Sequence, residues 1–229
     1  MSPPKKAAAT RSRQRRDDEK EQRREALIDA AELVFATAGF ETAKVEDVAK
    51  QARVSRALVY LYFGRKDELL LAICLRALRR LRERFAAAAA GPATGYAQIA
   101  AIGRAYIDFA IEFPLYFAAL SRVETQNLDI HHPGPNERAV LDASAAIHEV
   151  TVGALRHGMR DGTIRRLPQP MLMAMTLWGF IHGTIQIAQT KSPFLEQAGI
   201  SVDAFLRNSI EHGLHGLEPR PAAKPVKRR

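Results

Sequence analysis

Residues 54–63 read VSRALVYLYF: a turn-like Val-Ser, then a short apolar run that carries one Arg and no acid. Ser55 is suited to cap a helix that Gly64 ends. A helix that only packs needs one apolar side, yet here Leu58 to Phe63 supply large apolar groups all the way round. At about 100° per residue, Val59 and Phe63 share one side, with Ser55 and Tyr62 beside it. Ala57, Tyr60 and Leu61 fall elsewhere, and Leu58 lies on the flank. Val59 and Phe63 are therefore expected in a core. Ala57, Leu58 and Leu61 are free to meet something outside it.

Upstream, a short helix over about 44–51 presents Val45, Val48 and Ala49, with Ala52 just past its end, and a break falls at Arg53-Val54-Ser55. Two short helices joined by a tight turn form a DNA reader when the second can lie in the major groove. Ala49 supplies the small residue where the helices cross, and Val48, Ala52, Val54 and Val59 can lock the pair. Outward Ala57, Leu58 and Leu61 can touch thymine methyls. Tyr60 and Tyr62 offer hydroxyls to phosphate, and Arg56 can reach phosphate or guanine. Residues 42–66 hold six basic groups against Glu46 and Asp47, so the segment is locally positive. A helical hairpin that simply packs is the bland alternative.

From Leu27 to Leu70 the chain resembles the TetR family of bacterial transcriptional regulators. The residues that carry the likeness are Ala31, Phe35, Gly39-Phe40, Val45, Asp47-Val48-Ala49, Ala52, Val54-Ser55, Tyr60, Phe63, Lys66 and Leu69, and above all the run VYLYFGRKDELL. The resemblance implies that Tyr60 and Lys66 clamp backbone phosphates and that 55–61 reads the groove. Ala43 departs from it, standing where a capping Thr is usual; Thr42 can cap one residue early, or Lys44 can take a phosphate. Arg53 stands where the turn usually has Gly, which predicts a strained or altered turn. Arg65 replaces a Ser-type cap. The predicted DNA-binding set is Lys44, Arg53, Ser55, Arg56, Ala57, Leu58, Tyr60, Leu61, Tyr62 and Lys66.

The net charge of +9 sits in the two tails. Residues 1–16 carry six basic groups and no acid, and 217–229 carry five against Glu218, leaving 23 bases and 24 acids between. Such arms attract polyanions, nucleic acid first. The single Cys74 allows no disulfide framework and suits a reducing cytoplasm. The first 25 residues lack the apolar core of a signal peptide. Met171 to Ala188 is long enough to span a membrane, but Thr176, His182, Thr184 and Gln186 interrupt it, and no membrane is expected as a partner.

The rest reads as helices over about 19–38, 66–90, 95–112, 114–126, 136–161, 168–189 and 201–215, with no period-2 run long enough for a sheet. The predicted fold is all-α. A basic disordered arm covers 1–18 and a helix-turn-helix domain 19–65. A helical ligand-binding and dimerisation domain covers 66–216, and a basic disordered tail 217–229. Aromatics crowd 106–117, and LWGFIHG (177–183) adds more; this half resembles a TetR subgroup with a Trp, His, Gly signature. Tyr106, Phe109, Phe113, Tyr116, Phe117, Met175, Trp178 and His182 are the candidate effector contacts, for a small apolar or aromatic molecule. Core filling is the alternative for each. The last two long helices offer apolar faces through Met171, Ile181, Phe205, Ile210 and Leu214. In the family a C-terminal helix pair forms a four-helix bundle with its symmetry mate, which makes these the candidate homodimer contacts.

His131-His132 lacks companion ligands at metal spacing, and no phosphate-binding loop or activated nucleophile is present, so neither metal, cofactor nor enzyme activity is expected. The sequence thus predicts a homodimeric regulator of double-stranded DNA, a repressor released by a small effector. A constitutive DNA-binding protein without effector is the alternative, and it predicts a collapsed 100–182 region.

Overall fold

The structure is a computed structural model that describes residues 5–126 and 128–219, with side chains from residue 13 onward. The described residues form helices and no strand: α1 (Lys5–Ala38), α2 (Val45–Gln51), α3 (Arg56–Tyr62), α4 (Lys66–Ala90), α5 (Gly95–Glu112), α6 (Pro114–Glu124), α7 (Pro135–Asp161), α8 (Pro170–Thr190), α9 (Ser192–Gln197) and α10 (Val202–His215). The chain divides into two compact units after Cys74, inside α4, rather than after residue 65.

In the first unit, α1 buries Leu27, Ile28, Ala31 and Phe35, and Gly39 ends it with φ +75°. α1 begins at Lys5, which corrects the disordered arm expected over 1–18. Residues 5–24 are almost wholly Ala, Arg, Lys, Gln and Glu, all strong helix formers. Arg15 and Glu19, one turn apart, pair at 3.3 Å. Charge clustering argues for solvation; it does not argue against helix. Residues 1–4 lie outside the described residues. α2 packs on α1 and α3, and its start is held by Asp47, whose Oδ2 accepts from the Lys44 amide at 3.0 Å.

In the second unit, α5 packs on α7, α8 and α10, and α8 lies along α7 and α10. α8 is, among the described residues, the one helix long and apolar enough to cross a membrane, yet it buries Ala174, His182, Thr184 and Ile185 against its neighbours. α9 was not expected, because Pro193 reads as a breaker. Here Pro193 occupies the first turn of the helix, where its missing N–H costs nothing. Leu217 is fully buried, and its carbonyl accepts from the Arg165 amide at 2.8 Å, so the second unit runs past 216. Residues 220–229 of the expected tail lie outside the described residues.

Asp161 ties the end of α7 to the start of α5. Its Oδ2 accepts from the Gly95 amide at 2.7 Å, and its Oδ1 accepts from the hydroxyl and the amide of Thr163. The Thr163 hydroxyl first, then the two amides, hold its pKa down at about 2. A depressed carboxylate stabilises the fold above its unfolded pKa, and that contribution disappears as pH falls through about 2. Asp161→Asn should therefore be less stable at neutral pH. It should also lose less further stability than the parent between pH 4 and 2, followed by thermal melts across that range.

Candidate functional site

The first site is built on α2 and α3. Val48 and Val59 are fully buried, Phe63 is 1% exposed, and Ala43 and Ala49 are buried beside them. The Val54 amide donates to the Ala49 carbonyl at 3.0 Å, closing the turn. Ser55 caps α3, its Oγ accepting from the Leu58 amide at 3.2 Å. With the cap and Val59 fixed, the opposite side of α3 is left toward solvent. Leu61 is 78% exposed and Tyr60 37%, Ala57 is exposed, and Leu58 and Tyr62 are half-buried.

Basic groups surround this flank. Lys44 and Arg53 are exposed. Lys66 is half-buried: its Nζ lies 4.3 Å from the Phe40 ring centroid and donates to the Glu41 carbonyl at 3.2 Å. Arg56 pairs with Glu46 at 2.7 Å and lies 5.2 Å over the Tyr60 ring. Its Nη2 donates to the Tyr60 hydroxyl, and that bond, with Glu46 behind it, raises the guanidinium pKa. Arg56 is thus engaged within the chain rather than aimed freely outward. The pair is exposed and screened by solvent, so a phosphate can displace Glu46 at small cost.

Arg53 has φ +56°, and it is the one non-glycine residue with positive φ among the described residues. A residue with a Cβ costs about 1–2 kcal/mol in that conformation. Arg53→Gly is expected to raise stability by about 1 kcal/mol, read by urea unfolding. It should also lower the slope of log affinity for DNA against log salt by about 1 per subunit, since one cation is lost. A fall in stability would mean that the Arg53 side chain, rather than the backbone, holds the turn.

The second site lies in the second unit. A cavity of about 410 Å³ is lined from α4 by Leu78, Leu81 and Phe85, and further round by Tyr106, Glu124, Ser144, His148, Met175 and Trp178. A smaller one of about 60 Å³ shares Phe85, Tyr106, Ile147, His148 and Trp178 with it, and adds Ile181, Ile210 and Leu214. Of the candidate effector residues, Tyr106, Met175 and Trp178 line the cavities. Phe109, Phe113 and Tyr116 do not; they stack on one another at 5.5–6.4 Å, with Arg80 4.3 Å over Phe113. Phe117 stacks on His182 at 4.8 Å, behind the wall. Phe109, Phe113 and Tyr116 satisfy one another, and Phe117 packs on His182 and Tyr106, which removes all four from the lining. Ile181, Ile210 and Leu214, expected at a dimer face, line the small cavity, Leu214 buried and Ile181 and Ile210 half-buried in the single chain. Met171 is 40% exposed, and Phe205 is half-buried.

His182 is 6% exposed and fully engaged. The Ser121 hydroxyl donates to the Phe117 carbonyl at 3.0 Å, so its oxygen is left to accept from His182 Nε2–H at 3.1 Å. Glu124 Oε2 shares that proton at 3.0 Å. Nδ1 then accepts from the Tyr106 hydroxyl at 2.7 Å. Sequence reading missed Ser121 and Glu124. Their signal was there: a hydroxyl and an acid four and seven residues after Phe117, on its helical face. His148, also missed, meets Trp178 edge-on at 5.7 Å. Burial pushes its pKa down, with Glu124 opposing, so its ring is uncharged near neutrality. Among the described residues, no cluster of His, Cys, Asp and Glu is arranged to hold a metal.

Residues 27–73 match the model of bacterial regulatory proteins of the tetR family. Residues 99–212 match that of a Tetracyclin repressor-like C-terminal domain. The chain is 38% identical to the HTH-type transcriptional regulator BetI of Rhizobium meliloti (strain 1021) over 81 residues, 35% of this chain and 40% of that protein. It is 24% identical over 160 residues to the Fatty acid metabolism regulator protein of Bacillus subtilis (strain 168), covering 69% and 79%. The solved structure of the transcriptional regulator FadR from Bacillus subtilis in complex with stearoyl-CoA shares the fold, with TM-score 0.64 at 19% identity over 84% of this chain and 98% of that one. The matched relatives are transcription regulators, not enzymes.

Proposed function

The chain belongs to the tetR family of bacterial regulatory proteins, matched in both its halves, and from that premise we propose that it is a cytoplasmic, homodimeric repressor whose hold on a near-palindromic operator is released by a small apolar or aromatic effector. The observation that carries the DNA reading is α3: its inner side is locked by Val59 and Phe63 while Leu61, Tyr60 and Ala57 stay exposed. Leu58 and Leu61 would meet base edges, and Tyr60, Tyr62, Lys44, Arg53 and Lys66 the phosphates. Two such helices about one turn apart would make the operator two-fold.

The cavity of about 410 Å³ supports the effector, because it falls within the usual range of ligand pockets. A constitutive DNA-binding protein has no use for it. An apolar ligand there is in keeping with a protein of this fold holding stearoyl-CoA. The Trp178, His182, Gly183 pattern supports the subgroup with that signature. For the dimer, the exposed Leu172, Phe180 and Ile187 of α8 support a face built on that helix, with Met171 at its edge and Phe205 from α10. Effector binding would favour a reader spacing that mismatches the half-sites.

The test is selection of bound fragments from random duplex DNA by the purified full chain, with sedimentation of the free protein. An enriched inverted repeat and a dimer are expected. Enrichment of a single half-site by a monomer would overturn the two-fold reading, and no enrichment would overturn the operator.

A further inference from the structure

The larger cavity has an unequal charge distribution. Its walls are mostly aliphatic, with flat faces from Trp178, Tyr106 and Phe85. Among its lining residues Glu124 is the one acid, and no Lys or Arg lines it. His148, the other ionisable group on the wall besides the Tyr106 phenol, is neutral near pH 7 because burial pushes its pKa down. Glu124 is not free to swing away. Its Oε2 is held 3.0 Å from His182 Nε2, and His182 is itself fixed by Tyr106, Ser121 and the stacked Phe117 ring. Its side chain is 29% exposed, so the carboxylate is screened less than a surface acid.

A ligand entering this space loses its water. An anionic head would be left facing a fixed carboxylate with no cation to offset it. A head that donates hydrogen bonds would find a charged acceptor, and a cationic one would also find aromatic faces. We propose that this cavity takes an apolar or aromatic molecule bearing a cationic, hydrogen-bond-donating head, with Glu124 as the acceptor of that head and Trp178 and Tyr106 as its flat walls. The inference rests on the effector reading above and narrows it to lipophilic amines.

Trp178 is the single tryptophan of the chain, so its emission reports the cavity directly. Phenylbutylamine, phenylbutanol and phenylbutyrate share one apolar body and differ in the head. Titrated into the full-length protein at neutral pH and fixed salt, the amine should bind about tenfold or more tighter than the carboxylate, with the alcohol between. In Glu124→Gln, which keeps an oxygen for His182, the amine should lose most of that advantage and the carboxylate should gain. Equal binding of all three, or tighter binding of the carboxylate, overturns the head-group assignment and leaves the effector reading standing. If none of the three binds, both the assignment and this cavity as the effector site are overturned. Should Glu124→Gln fail to fold, the order of the three probes on the parent protein decides alone.

Discussion

Gly95→Val should strip the second unit of much of its stability. Gly95 opens α5, and a Cβ there would lie 2.0 Å from the Gly158 amide nitrogen, 2.3 Å from its Cα and 2.6 Å from the Ala154 carbonyl oxygen. All three are backbone atoms of α7, and none can rotate aside. The helices would have to separate, and the Asp161 bond to the Gly95 amide would go with the contact. Overpacking a tight contact costs about 1–3 kcal/mol, occasionally more, and backbone on both sides puts this case at the upper end. At about 2–4 °C per kcal/mol for a chain of this size, the midpoint should fall by about 6–12 °C. Gly153→Ala is the control. It lies mid-helix in α7 with nothing within 4 Å of its added methyl, so it should be neutral or gain up to about 1 kcal/mol. A Gly95→Val midpoint within a degree of the parent would mean that α5 and α7 do not touch there.

The same pair shows what the sequence could and could not say. A glycine at the start of a helix reads as a cap or a turn, and nothing local marks it as a point of backbone contact with a residue sixty-three positions on. By contrast, α2 and α3 were legible almost to the residue, because their reading rests on local rules: Ser55 as a cap, Val59 and Phe63 four apart, and a family signature in unbroken register. Errors fell where a local rule has two readings. The charged stretch after Lys5 reads as solvated tail or as solvated helix. Pro193 reads as helix breaker or as helix start. In the second unit the aromatic-rich segment was visible, but which rings face the cavity was not. Phe109, Phe113 and Tyr116 differ from Tyr106 only in which neighbours α4 and α8 bring to them, and those neighbours are distant in sequence. That Ile181, Ile210 and Leu214 line the small cavity could not be foreseen, because its other walls come from α4, α5 and α7, distant in sequence. Glu124 was passed over for a related reason: an acid on an apolar helix face reads as an exposed edge until His182, fifty-eight residues later, is placed beside it.

Leu61→Glu should abolish specific DNA binding while leaving the fold intact. Leu61 is 78% exposed in the free protein, while Val48, Val59 and Phe63 form the buried side. A surface substitution of this kind shifts stability by about 0.5 kcal/mol or less. In the complex the same position would face the groove, one helical turn from Ala57. Glutamate there removes an apolar contact to base edges and sets a carboxylate among phosphates. A lost base contact costs about 1–3 kcal/mol per half-site, so a dimer on two half-sites loses about 2–6 kcal/mol, or about thirtyfold to about twenty-five-thousandfold in affinity. The measurement is anisotropy of a labelled operator at fixed salt, because a change in salt alone moves such affinities by orders of magnitude. Ile111→Glu, on α5 and 67% exposed, adds the same charge to the other unit and should change operator affinity little. If both substitutions weaken binding equally, net charge is responsible and α3 has no privileged place. If Leu61→Glu binds as the parent does, α3 is not in the groove, and its unpacked Leu and Tyr residues need another partner.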